Sequence, residues 1–172
     1  MAMERPKGTT FQGNPLTLLG PALKAGDKAP SFAARSQELK PFTLEDTRGK
    51  IRLFSAVPSL DTPVCDAETR RFNAEAAALG DKVEIITISL DLPFAQRRWC
   101  GAAGIDKIKV VSDYYDRSFS QAYGTLIKEL HLSSRAVFVV DEKDVIRYVE
   151  YVPEMVNQPD YDKAIAAVKT LL

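Results

Sequence analysis

Cysteine and histidine are scarce in this sequence, and neither sign of charge is in excess. Its 172 residues include two cysteines, Cys65 and Cys100, and one histidine, His131. Two cysteines are too few for a disulfide scaffold, and a single histidine argues strongly against a zinc site of cysteine and histidine ligands. Lysine and arginine together number 23, as do aspartate and glutamate, so no net charge attracts nucleic acid or an anionic membrane.

The sequence also has no long hydrophobic run. The longest apolar stretches, such as residues 136–140, have the length of a strand, whereas a membrane-spanning helix needs about 18 or more apolar residues. The first 14 positions carry charged residues without a following apolar segment, so no signal peptide is predicted. We therefore expect a cytoplasmic protein that binds neither membrane nor nucleic acid. In a reducing compartment its two thiols are either buried and inert or engaged in redox chemistry.

What is present is the composition of an ordinary globular protein. Apolar residues make up 45% of the chain and charged residues 27%, with nine glycines and ten prolines. These fractions are typical of a folded domain and exclude a collagen, a coiled coil or a disordered chain. Since a domain usually has roughly 100 to 200 residues, the length predicts one domain spanning residues 1–172.

Hydrophobic periodicity predicts strands that alternate with helices. A Gly13-Asn14 turn between two extended runs indicates an N-terminal β-hairpin. Alternation of strands and helices, followed by a strand pair and a last helix, predicts an α/β fold with a mixed central β-sheet flanked by helices. Further strands are predicted at residues 42–44, 50–57, 83–89, 109–112, 136–141 and 145–151, and helices at 64–79, 93–103, 116–123 and 160–172.

The start of the first long helix holds the more informative cysteine. If Thr62 is the N-cap and Pro63 the first helical residue, Cys65 occupies the third helical position. Unpaired backbone N–H groups and the positive end of the helix dipole favour an anion there, and so favour the reactive thiolate. The alternative is a small apolar residue buried in the first turn, and position alone does not decide between the two.

Five segments spread along the chain form a specific combination of motifs. They are Pro58-x-x-x-Thr62-x-x-Cys65 within SLDTPVCDAETRRFN, the hairpin TFQGNPLTLLG, the segment CGAAGIDK with the second cysteine, RAVFVVD and VIRYVEYVPE. Together they resemble the bacterial thiol peroxidase subfamily of the peroxiredoxins over almost the whole chain. The resemblance implies a thioredoxin-like fold and the reduction of hydrogen peroxide and organic hydroperoxides without a metal, haem or flavin.

The resemblance also implies roles for individual residues. Cys65 matches the peroxidatic cysteine, which becomes a sulfenic acid, and Cys100 matches the resolving cysteine, which converts that acid to a disulfide. Thr62 matches the residue whose hydroxyl orients the peroxide, Pro58 the residue that shields the site, and Arg135 the arginine that supports thiolate and transition state. A thioredoxin or similar dithiol reductant and a homodimer are further implications.

Three of these residues have a plainer interpretation without the resemblance. Arg135 would then be a solvated charge at the start of a strand. Cys100, beside Trp99, would be a packed core residue, and Thr62 would be only a helix N-cap.

The two cysteines lie on separate predicted helices, so their backbones must come close together before a disulfide can form. A disulfide requires Cα atoms roughly 4.4–6.8 Å apart. We therefore expect the first turn around Cys65, the helix around Cys100, or both, to unwind when the bond forms.

The sequence alone leaves two other functions open. A thiol-disulfide oxidoreductase acting on proteins is disfavoured, because positions 65 and 100 have 34 residues between them and no Cys-x-x-Cys occurs. A non-catalytic redox sensor or binding module would use the same disulfide as a switch, and turnover with a reductant would distinguish it from a peroxidase.

Overall fold

The computed structural model describes residues 3–172, and its centre is a seven-stranded sheet. The helices are α1 Pro63–Leu79, α2 Pro93–Ala103, α3 Ser118–Ala122 and α4 Tyr161–Lys169, and a short 3-10 helix covers Leu44–Thr47. The strands are β1 Glu4–Phe11, β2 Asn14–Leu19, β3 Ala33–Arg35, β4 Pro41–Thr43, β5 Ile51–Ala56, β6 Val83–Ser89, β7 Lys109–Ser112, β8 Leu126–Ile127, β9 Ala136–Val140 and β10 Ile146–Tyr151.

The central sheet has the strand order β10-β9-β5-β6-β7-β3-β4. Strands β5, β6 and β7 are parallel, while the strands on either side of them join antiparallel. Parallel neighbours require crossover connections, and α1 and α2 provide them. The mixed sheet flanked by helices that the sequence predicts is thereby confirmed.

Apolar side chains cover both faces of this sheet. Every residue of β5 and of β9 is buried, which is why these strands are nearly continuous apolar runs and show little alternation. Helices α1 and α4 pack on one face through residues such as Phe72 and Val168. The other face carries an aromatic cluster of Phe32, Phe54, Phe119, Tyr123 and Phe138.

The pairing of β5 with β9 fixes where the candidate residues meet. Ala56, at the end of β5, pairs antiparallel with Ala136, at the start of β9. Helix α1 begins shortly after Ala56, and Arg135 directly precedes Ala136. The N-terminus of α1 and Arg135 therefore lie at the same edge of the sheet.

The predicted N-terminal hairpin is confirmed, with its turn one residue earlier than expected. Phe11 pairs with Asn14, so the turn residues are Gln12 and Gly13, with φ angles of 49° and 81°. Positive φ at both positions is the type I′ geometry that matches the twist of a two-residue hairpin. A third strand, β8, extends this small sheet by pairing with β2.

The start of α3 differs from the prediction. The helix begins at Ser118, and the Asp116 carboxylate accepts only the backbone N–H of that residue. The buried carboxylate of Asp113 accepts the backbone N–H groups of Phe119 and Ser120 at 2.9 and 2.8 Å. Asp113, just beyond β7, therefore takes the capping role that the sequence assigns to Asp116.

No helix within residues 3–172 combines the length and the apolar character needed to cross a membrane.

Candidate active site

Cys65 lies in the first turn of α1, at the position that the sequence predicts. Thr62 is the N-cap with extended backbone angles, Pro63 is the first helical residue, and the Asp66 N–H donates to the Thr62 carbonyl at 2.9 Å. The Cys65 side chain is completely buried. The sulfur therefore lies at a helix N-terminus, where free backbone N–H groups point outward, and is excluded from bulk water.

Arg135 supplies a cation directly beside this sulfur. Its Nη2 lies 3.3 Å from the Cys65 Sγ, and the side chain is only 2% exposed. Two hydrogen bonds to the Met155 carbonyl, of 3.2 Å from Nε and 2.9 Å from Nη2, fix the plane of the guanidinium. The interpretation of Arg135 as a solvated charge at a strand end is therefore wrong, because the structure buries it against Cys65.

Glu68 is a member of the site that the sequence analysis does not identify. Its carboxylate accepts hydrogen bonds from Arg135 Nη1 at 2.6 Å and from the Ser55 hydroxyl at 2.8 Å, and it is completely buried. One signal was available, since Glu68 follows Cys65 by three residues and so lies on the same helix face. Spacing alone does not distinguish a buried glutamate from a solvated one.

The charges of Glu68 and Arg135 depend on each other. Burial raises the pKa of Glu68 to about 7, and the opposing effects of Arg135 and Ser55 do not cancel it. Burial alone would lower the pKa of the Arg135 guanidinium, but the attraction of Glu68 and Cys65 outweighs it and raises that pKa. Arg135 therefore stays charged and faces two acidic groups, the Cys65 thiol and the Glu68 carboxyl.

Thr62 and Pro58 lie where the predicted pattern places them, in the segment that leads into α1. Pro58 is buried, and Thr62 is partly exposed. The Thr62 hydroxyl donates to the Ser59 carbonyl at 2.9 Å and does not cap the helix with its side chain. The N-cap role of Thr62 therefore comes from its backbone alone, and the hydroxyl oxygen is left to take part in other contacts.

A surface depression of about 440 Å³ opens beside this segment. Residues at the start of α1 line it, and it has room for a small molecule. Its lining residues are Leu60, Asp61, Thr62, Pro63 and Asp66.

Cys100 lies on α2 and is 7% exposed. Its sulfur accepts a hydrogen bond from the Gln37 side-chain amide at 3.5 Å. Burial raises the pKa of the Cys100 thiol, and the bond from Gln37 offsets part of that rise. Both cysteines are free thiols and belong to one apolar cluster, which also contains Val57, Leu60 and Val110.

Hydrogen bonds also join the first turns of α1 to α2. The Trp99 indole N–H donates to the Asp66 carboxylate at 3.1 Å, and Arg70 pairs with the same carboxylate. Asp91, just before α2, accepts the Ser59 hydroxyl at 2.7 Å. The structure thus brings Cys65 and Arg135 into contact. It places Cys100 in the same apolar cluster as Cys65, on a helix whose preceding residue Asp91 is bonded to the segment that leads into α1.

This chain is similar in sequence to known proteins over most of its length. The family model described as Redoxin matches residues 24–165. A thiol peroxidase of Halalkalibacterium halodurans is 58% identical over 163 residues, covering 95% of this chain and 98% of the relative. A thiol peroxidase of Bacillus subtilis is 54% identical over 163 residues, covering 95% and 97%.

Solved structures agree with the sequence relatives. The crystal structure of a peroxiredoxin-like protein from Aquifex aeolicus superimposes with a TM-score of 0.90 at 37% identity, covering 99% of both chains. A thiol peroxidase from Chromobacterium violaceum has a TM-score of 0.84 at 22% identity, over 94% of this chain and 95% of that one, which shows a shared fold.

Proposed function

Because the chain belongs to the Redoxin family and is a thiol-dependent peroxidase of the peroxiredoxin type, we propose that Cys65 attacks the peroxide and Cys100 resolves the product. The expected thioredoxin-like fold is confirmed by the structural relatives. Among the residues of the chain, the observation that carries the assignment is the contact of 3.3 Å between Arg135 Nη2 and Cys65 Sγ.

The first step oxidises Cys65. Its thiolate attacks one peroxide oxygen, the O–O bond breaks, and the departing oxygen takes a proton to leave as water or an alcohol. Negative charge moves from sulfur to the departing oxygen during this step. The fixed N–H groups of Arg135 stabilise negative charge both on the sulfur and on the departing oxygen. They therefore stabilise the transition state more than the ground state, which lowers the barrier.

Thr62 and Pro58 have supporting roles in this proposal. The Thr62 hydroxyl borders the depression beside α1, where its oxygen can accept a hydrogen bond from the bound peroxide. Pro58 is buried next to the apolar Val57 and limits access of water to the sulfur. We extend the substrate to hydrogen peroxide and organic hydroperoxides, because the reacting O–O group is common to both.

The second step forms a disulfide. The Cys100 thiol attacks the Cys65 sulfenic acid, the S–O bond breaks, and the hydroxyl leaves as water. An external dithiol such as thioredoxin then reduces the disulfide through a mixed disulfide and regenerates both thiols. Such a cycle needs a reducing compartment, so a cytoplasmic location is part of the proposal.

Two structural proposals accompany the mechanism. Residues 1–172 form one domain, which is supported by α4 packing on the same sheet face as α1. The active form is a homodimer, which is supported by the exposed apolar side chains of Leu92 and Phe94 at the start of α2, 52% and 65% exposed. Light scattering on the protein as it elutes from a size-exclusion column tests the dimer, and a monomer at every concentration would contradict it.

A thiol count with intact mass after one equivalent of peroxide tests the roles of the cysteines. The wild type should lose both thiols as an internal disulfide. Cys100→Ser should stop at the sulfenic acid, and Cys65→Ser should stay reduced. If Cys65→Ser is oxidised as fast as the wild type, Cys65 is not the residue that attacks the peroxide.

A further inference from the structure

Three side chains between α1 and α2 form a connected cluster beside the two cysteines. The Asp66 carboxylate accepts the Trp99 indole N–H at 3.1 Å and pairs with the Arg70 guanidinium. The guanidinium carbon of Arg70 lies 5.7 Å from the centre of the Trp99 ring, and Arg70 also donates to the Ala103 carbonyl at 3.4 Å. We call Asp66, Arg70 and Trp99 the latch.

The latch is adjacent in sequence to both cysteines. Asp66 follows Cys65, and Trp99 precedes Cys100. Its two contacts with α2, at Trp99 and Ala103, lie on either side of Cys100 along the chain. Any displacement of the Cys100 segment out of its helical position therefore strains or breaks the hydrogen bonds of the latch.

The two sulfurs have different partners in the reduced protein. Cys65 Sγ contacts Arg135, and Cys100 Sγ accepts a hydrogen bond from Gln37. A disulfide requires an S–S distance of about 2.05 Å and a narrow range of backbone separations. At least one cysteine must leave its present contacts, and Cys100 sits near the end of its helix, where local opening is easiest.

We propose that the latch is a positioning device for the resolving step: by holding the Cys100 segment in its helix, it sets the lifetime of the Cys65 sulfenic acid. This inference rests on the proposed roles of Cys65 and Cys100. Arg70 and Trp99 act through the position of Cys100 and have no contact with the peroxide in the mechanism above, whereas Asp66 also lines the depression beside α1.

The lifetime of the sulfenic acid decides between two reactions. In one, the Cys100 thiol displaces the hydroxyl, which gives the disulfide and water. In the other, a second peroxide transfers an oxygen to the sulfenic sulfur, which gives a sulfinic acid and leaves water or an alcohol. The second reaction ends the catalytic cycle, so a tighter latch makes the enzyme more easily inactivated by excess peroxide.

Trp99→Phe is the sharpest perturbation, because it removes the indole N–H and keeps an aromatic ring. The net contribution of one such hydrogen bond is about 0.5–1.5 kcal/mol, which corresponds to roughly a two- to tenfold change in the open population. We expect disulfide formation to accelerate by that factor. Arg70→Gln, at a half-exposed position, should act in the same direction and serves as the second variant.

The control is Arg71→Gln. Arg71 is the next residue of α1, but it pairs with Glu75 and stacks on Tyr161, on the side of α4. Rapid mixing with peroxide, acid quenching, alkylation and intact mass would follow the sulfenic acid, the disulfide and the sulfinic acid separately in all four proteins.

The latch predicts a specific set of changes. The rate of Cys65 oxidation should be unchanged, and disulfide formation should be faster in Trp99→Phe and Arg70→Gln. At a fixed high peroxide concentration, the ratio of sulfinic acid to disulfide should fall by the same factor. Disulfide formation at the wild-type rate in both variants would overturn the latch. A wild type that forms no Cys65–Cys100 disulfide would instead overturn the proposed function on which the latch rests.

Discussion

Replacement of the buried Glu68 carboxyl by an amide tests the electrostatics of the site. Burial raises the pKa of Glu68 from 4.5 to about 7. One pKa unit is worth ~1.36 kcal/mol, so a rise of about 2.5 units corresponds to about 3 kcal/mol. Glutamine has nearly the same shape and no titrating proton. Glu68→Gln therefore removes the pH dependence of Glu68 while keeping its volume.

The sign of this pH dependence follows from proton binding. Between pH 4.5 and about pH 7, Glu68 holds its proton in the folded protein and releases it in the unfolded chain. The folded state binds more protons in that window, so its stability falls as the pH rises. The contribution is fully present below pH 4.5 and is lost as the pH passes about 7. As the pH rises through this window, the wild type should lose about 3 kcal/mol of unfolding free energy relative to Glu68→Gln.

Urea unfolding of the reduced proteins from about pH 4 to about pH 8 measures this difference. The control is Glu142→Gln, which replaces an exposed carboxyl in the turn between β9 and β10. Its difference in unfolding free energy from the wild type should not follow the pH curve expected for Glu68→Gln. A Glu68→Gln difference that is flat or reversed in sign would refute the reasoning. It would mean that the attraction of Arg135 exceeds the desolvation of Glu68 and keeps the carboxylate ionised throughout.

Substitutions at three further positions test separate parts of the structure. Arg135→Met should lower kcat/KM for peroxide by about 100- to 1000-fold in steady-state assays, since it removes fixed donors from the transition state, and wild-type kcat/KM in this variant would contradict the role. Thr62→Val should lower kcat/KM by roughly ten- to a hundredfold while Thr62→Ser largely restores it, and equal values for both would exclude the hydroxyl. Asp160→Ala removes the acceptor for the Lys163 N–H at the start of α4; urea unfolding should show a loss of about 1 kcal/mol with kcat/KM unchanged, and an unaltered midpoint would contradict the cap.

Elements with local end signals could be predicted from the sequence to the residue. Helix α2 begins at Pro93 and ends before Gly104, whose φ of 68° suits a glycine after a helix. Strand β6, Val83–Ser89, is rich in β-branched residues and has the predicted bounds. In contrast, β3 and β8 have three and two residues, too few to show a period, and they depend on pairing with distant strands.

The candidate site likewise has one part that local sequence determines and another that depends on distant contacts. The position of Cys65 at a helix N-terminus follows from its neighbours Thr62 and Pro63, which are local. The burial of Glu68 does not, because it depends on Arg135, which is 67 positions away and arrives only through the pairing of β5 with β9. The latch depends on an equally distant contact, since Asp66 and Trp99 are 33 positions apart.

The first two turns of α1 present different residues to two neighbours, and this explains how reaction and resolution can be adjusted separately. Cys65 and Glu68, three positions apart, share the buried face toward Arg135. Asp66 and Arg70, four positions apart, share the face toward α2. A substitution on the first face changes the charge around the reacting sulfur, whereas one on the second face changes how firmly the Cys100 segment is held. The helix itself need not be disturbed in either case, so the rate of oxidation and the lifetime of the sulfenic acid should vary independently.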